Sequence, residues 1–91
     1  MRSTPADQSH AQQRDDAHRH AQAQAIEWAD RATAEYGQAV HYEDNARRSS
    51  ASAYLRDAAA EERRRAQVHG VRSAEALKLA EMWAAVSRAL A

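Results

Sequence analysis

Plotted at 100° per residue, the apolar positions from His10 onward fall on helical stripes, not on alternating strand faces. In the first half, Ala25, Trp28, Ala29, Ala32, Tyr36, Ala39 and Val40 share one face. Tyr42 and Ala46 lie at one edge of that face and Ile26 at the other. The spacing Ala21, Ala25, Trp28, Ala32, then Ala39, Tyr42, Ala46 follows a near-heptad seam that Glu35 interrupts. Small residues on a seam let two helices approach closely, and the rings fill what alanine leaves open.

The stripe then loses phase. Glu43, Arg47 and Ser50 take the wheel positions that Tyr36 and Val40 would hand on. A new stripe begins with Ala51, Leu55, Ala58 and Ala59, rotated by roughly a quarter turn. Between them lies EDNARRSSAS, whose Asp, Asn and Ser side chains compete with the helix for backbone hydrogen bonds. The pattern predicts a turn near Asp44–Ser50 and hence an antiparallel helical hairpin; one bent, continuous helix is the competing arrangement. Gly70 poses a second choice. It is either a C-cap, with Ser73 opening a third helix, or a residue inside one long helix. Val68, Val71, Leu79, Met82, Trp83, Val86 and Leu90 stay on one face across it, although Arg72 and Glu75 intrude. That continuity favours a helix that runs through. Leu79, Trp83, Val86 and Leu90, spaced four, three and four, form the strongest apolar stripe of the chain.

The N-terminus is different. Residues 1–9 are polar and aperiodic and read as a flexible tail, with Pro5 suited to a first helical turn capped by Ser3 or Thr4. Residues 10–91 read as a single helical domain. DQSHAQQRDDAHRHAQAQA has no large apolar residue, so it extends the first helix only if something packs beside it.

Composition sharpens this reading. Of the 44% hydrophobic residues, 24 are alanines and only nine are Val, Ile or Leu. Burying a large apolar side chain is worth roughly 1.5–3 kcal/mol, against about 1–2 kcal/mol to order each backbone residue. An isolated monomer is therefore marginal, and the expected fold is an all-α hairpin of two helices, or three, that associates into a bundle. Thirteen basic and thirteen acidic residues cancel, which argues against binding nucleic acid or anionic lipid by bulk charge. Cys is absent, which removes disulfide and thiol chemistry. No apolar run approaches the ~20 residues of a membrane-spanning helix, and no secretory signal is visible; the cytoplasm is the expected location.

The chemically loud residues have plain readings. Arg63, Arg64 and Arg65 point about 100° apart on a helix, so they form no single basic patch. Asp15–Arg19, Glu27–Arg31, Glu43–Arg47, Asp44–Arg48 and Glu61–Arg65 stand at i, i+4, acid first, the better order for helix-face pairs. Nucleic-acid contact through Arg47, Arg48, Arg63, Arg64 and Arg65 is the alternative reading; it would be salt-dependent and sequence-blind. Asp15 and His18, and Asp16 and His20, share helix faces, but a bundle metal site needs more carboxylates. No metal, cofactor or small-molecule substrate is expected, and histidines near a mobile end read as solvated. With only two glycines and no G-x-S-x-G or H-E-x-x-H motif, catalysis has no machinery. The expected role is non-catalytic, structural or adaptor-like, through self-association or a protein partner. Its expected contact residues are Trp28, Tyr36, Tyr42, Leu79, Met82, Trp83, Val86 and Leu90.

Overall fold

A computed structural model describes residues 5–91 and shows an antiparallel helical hairpin. Helix α1 spans Pro5–Ser50, a short 3-10 turn covers Ala53–Leu55, and helix α2 spans Arg56–Leu90. The rod measures 78 × 14 × 12 Å. At ~1.5 Å per residue, α1 alone accounts for about 69 Å of that length. Ser3 and Thr4, the candidate caps, lie outside the described residues, and α1 already includes Pro5–Ser9 ahead of the expected start at His10.

The chain reverses later than the expected Asp44–Ser50 turn. Ser52 is extended (φ −118°, ψ 131°), and the amides of Ser52 and Leu55 donate to the carbonyls of Ser49 and Ser52. The polar run stays helical because its side chains find one another instead of the backbone amides. Arg47 donates to Asp44 at 2.7 Å and Arg48 to the Asn45 amide oxygen at 2.7 Å. Ser50 Oγ caps the Arg47 carbonyl at 3.0 Å, and only then does the helix end.

Two regular seams hold the hairpin. On α1, His18, Ala21, Ala25, Trp28, Ala32, Glu35, Ala39, Tyr42, Ala46 and Ser49 are all buried or half-buried. On α2, the corresponding set is Ala59, Glu62, Ala66, His69, Ser73, Ala76, Ala80, Trp83, Ser87 and Leu90. Both alternate three- and four-residue steps without a skip, which keeps a stripe facing its partner over many turns. Glu35 thus belongs to the seam and does not interrupt it. The fully buried apolar set is alanine only: Ala21, Ala32, Ala46, Ala59, Ala66, Ala76 and Ala80. Each methyl brings only ~0.8 kcal/mol, so the seam gains by close helix approach along its length and not from any single anchor.

Gly70 lies within α2, with an ordinary helical backbone, so the helix runs through as its phase continuity predicts. Gly37 is exposed, and a Cβ built there meets nothing within 4 Å. Gly37→Ala is therefore expected to raise hairpin stability by about 0.5–1 kcal/mol, through lost unfolded-state entropy. A thermal melt followed by circular dichroism checks this; an unchanged or lowered midpoint would contradict a regular, uncrowded helix at Gly37.

Candidate functional site

The polar seam positions explain why one alignment of the helices is selected. His69 Nδ1 donates to the Glu35 carboxylate, and the Tyr42 ring stacks on the His69 imidazole at 5.4 Å and 13°. The Arg65 guanidinium lies over the Tyr42 ring, 5.8 Å from its centroid. One turn along, Ser73 Oγ donates to the Ala32 carbonyl at 2.8 Å. Sliding one helix by a heptad would leave alanine on alanine but separate Glu35 from His69. The polar pair therefore fixes the register. Glu62 Oε2 is buried without a partner beside this cluster on the same seam, and no group of three or more metal-ligating side chains forms among the described residues.

At the open end His18 is half-buried and engaged, contrary to its expected solvation, whereas His10 and His20 stay exposed. His18 Nδ1 donates to the Ser87 carbonyl at 3.0 Å and lies 3.3 Å from Ser87 Oγ. His20 meets Trp83 edge to face, with centroids 5.4 Å apart. The Gln- and His-rich stretch is helical throughout, although α2 packs only beside its second half at His18, Ala21 and Ala25; residues 8–17 are exposed and helical without the packed neighbour that the sequence leads one to expect.

The expected contact residues divide into two groups. Trp28, Tyr42, Leu79, Trp83 and Leu90 are half-buried in or beside the seam, and Arg31 covers Trp28 at 4.5 Å. Tyr36, Met82 and Val86 are exposed, as are Ile26, Val40, Tyr54, Leu55, Val68, Val71 and Leu77. More bulky apolar side chains thus face outward than inward. The near-heptad spacing Ala21, Ala25, Trp28, Ala32, Ala39, Tyr42, Ala46 does mark the α1 seam, whereas the broader wheel face also took in Tyr36 and Val40, which are exposed. On α2 the alternating Ala59, Ala66, Ala76 and Ala80 were the signal that could have placed the seam.

Five of the outward groups, Ile26, Tyr36, Val40, Val71 and Leu77, line open grooves. An open groove along one side of the hairpin is lined from α1 by Tyr36, Ala39, Val40 and Glu43. From α2 it is lined by residues that include Arg63, Gly70, Val71, Ala74 and Leu77. Toward the open end, shallow grooves continue it past Ile26, Ala29, Glu81 and Ala84. Apart from Ala39, which belongs to the seam, and Val71, these residues lie on a second stripe of each helix, next to the seam.

Six of the arginines are engaged within the chain. Arg64 donates to Glu61 at 2.6 Å, and Arg65 Nε lies 3.5 Å from the same carboxylate. The hydrogen bond and charge of Arg64, followed by Arg65, hold the Glu61 carboxyl below its ordinary range. Arg31 pairs with Glu27 as the spacing predicts. Arg19 and Arg47, however, choose Asp16 and Asp44 at i, i+3 in place of Asp15 and Glu43, and Arg48 chooses Asn45 in place of Asp44. Asp15, Glu43, Arg63 and Glu81 have no ion-pair partner among the described residues. No described helix is long and apolar enough to cross a membrane. Comparison with known protein families, curated proteins and solved structures gives no match for this chain.

Proposed function

We propose that the chain is a non-catalytic structural or adaptor element that works by packing the outer face of its hairpin against another helical surface. The surface belongs to a further copy or to a protein partner. One observation carries the reading: ten bulky apolar side chains stand exposed while the interior is sealed by alanine. A compact protein of this mass would expose about 5,300 Å². This chain, drawn out into a rod, exposes 6969 Å², and a covering helix would remove apolar side chains from water. The grooves are open along the rod, which suits a covering helix better than a reaction that must exclude water. Nucleic-acid contact through Arg47, Arg48, Arg63, Arg64 and Arg65 draws less support, because four of the five already pair with Asp44, Asn45 or Glu61.

Sedimentation equilibrium and circular dichroism over a wide concentration range test the proposal. Helicity and mean mass are expected to rise together, with mass above the monomer at micromolar concentration. A monomer whose full helicity and melting temperature do not depend on concentration would overturn it.

A further inference from the structure

We infer that the outer groove is covered by a second copy of this chain, stacked antiparallel so that α1 lies along α1 and α2 along α2 in a four-helix bundle. This rests on the reading that the chain acts by helix-face association, and it adds the partner and the geometry. The argument starts from the second stripes. On α1, Asp15, Arg19, Ile26, Tyr36, Glu43 and Arg47 lie on one stripe of alternating four- and three-residue steps, with Gln22, Ala29, Thr33 and Val40 between them. On α2, Arg63, Gly70, Ala74, Leu77, Glu81 and Ala84 do the same. Each stripe is apolar or small at its centre and charged toward its ends, the layout of a solvent-rimmed bundle interface.

The charges choose the stacking. Arg63 and Glu81 lie nine residues either side of position 72, so antiparallel α2 helices crossing there bring each Arg63 to the partner copy's Glu81. On α1, a crossing at position 31 brings Glu43 to Arg19 and Arg47 to Asp15, opposite signs in both cases. These two crossing points were fixed separately, yet they lie side by side. The Ser73–Ala32 and His69–Glu35 contacts set position 31 within about two residues, ~3 Å, of the level of position 72. A single two-fold axis satisfies both. At that axis Gly70 faces Ala74, which lets the α2 helices approach closely, while Tyr36 meets Ile26 between the α1 helices.

The parallel stacking, α1 against α2, is poorer. It keeps one favourable pair, Glu43 with Arg63, and sets Arg19 against Arg88 and Arg47 against Arg56. The antiparallel form has one like-charge encounter, Arg56 against Arg88, at the solvated ends where it is screened. Arg63, Glu81, Glu43 and Asp15 are also among the groups that the hairpin leaves without an ion-pair partner, so three of the interface pairs recruit a charge that is not already engaged.

Charge exchange in the full chain tests this by sedimentation equilibrium at low ionic strength. R63E and E81R each turn two symmetry-related attractive pairs into repulsive ones and are expected to weaken the dimer roughly tenfold. The double variant R63E/E81R is expected to restore wild-type affinity. All three positions of exchange are exposed and take good helix formers, so monomer helicity serves as the control. If the chain self-associates but the single variants leave affinity unchanged, or the double fails to recover it, this face is wrong while association by helix faces stands. Recovery of R63E by E43R would overturn the antiparallel arrangement in favour of the parallel one. A wild-type chain that is monomeric throughout overturns the inference and, if its helicity is also independent of concentration, the broader reading with it.

Discussion

Ala76→Leu is expected to destabilise the hairpin by about 1–3 kcal/mol, although leucine is nearly as good a helix former as alanine and far more hydrophobic. Ala76 is 4% exposed on the α2 seam, one turn beyond Ser73, whose hydroxyl reaches the Ala32 carbonyl at 2.8 Å. That bond requires the two backbones to lie close. An isobutyl group inserted beside it must either leave its rotamer well or push the helices apart, and separation breaks the bond and loosens neighbouring alanine contacts. The exposed Ala58 is the control, where the same change is expected to stay within about 0.5 kcal/mol. For a domain of this size the difference corresponds to a melting temperature lower by roughly 4–8 °C per kcal/mol. A stabilised Ala76→Leu variant would mean that the seam has spare volume and that alanine there does not serve close approach.

The second large effect concerns the polar pair inside the seam. His69→Leu is expected to cost about 1–2 kcal/mol, less than the ~3–5 kcal/mol typical of breaking a deeply buried pair. The reduction follows from residual exposure, since the His69 and Glu35 side chains keep 21% and 28% of their surface. The loss arises because Glu35 is left as a part-buried carboxylate without its donor and Tyr42 without its stacking partner. Adding Glu35→Leu is expected to return stability to the wild-type level or above it, because leucines would then complete the seam with apolar contacts. A double-mutant cycle at neutral pH, read by chemical denaturation, measures the coupling. Additive losses in the double variant would show that Glu35 and His69 act separately, and the account of register selection would fall.

Much of the architecture was readable along the chain. The helical period, the passage through Gly70 and the existence of a reversal after the first long helix all follow from local preferences. Propensity and phase are properties of neighbouring residues, so they survive without a partner helix. The turn itself was misplaced by a few residues because Asp44, Asn45 and Ser50 were weighed only as competitors of the helix. In the folded chain they serve as acceptors and caps for Arg47, Arg48 and the last turn, and the break waits until Ser52. The same local view assigned Asp15 and Glu43 to arginines four residues on, whereas rotamers at i, i+3 gave those arginines to Asp16 and Asp44.

The near-heptad spacing of small and aromatic residues already held the α1 seam, except for Glu35, but the α2 seam was harder to place. A wheel weighted by hydrophobicity is drawn to Tyr36, Val40, Met82 and Val86, yet these are exposed. Close packing rewards small size as well as apolarity, and alanine carries too little hydrophobic weight to outvote an aromatic ring on a wheel. For the same reason Glu35 read as an interruption, and only its contact with His69, 34 residues away, reveals it as a seam residue.

By itself, then, the amino-acid order determined that this protein is helical, long and unequipped for thiol chemistry, because those properties depend on residue type and on neighbours three or four places apart. The tertiary structure alone decided which face of α2 turns inward, where His18 and His69 dock and which of the described charges stay without an ion-pair partner. Those outcomes depend on how closely two backbones can approach and on groups far apart in the chain, and no local pattern encodes either.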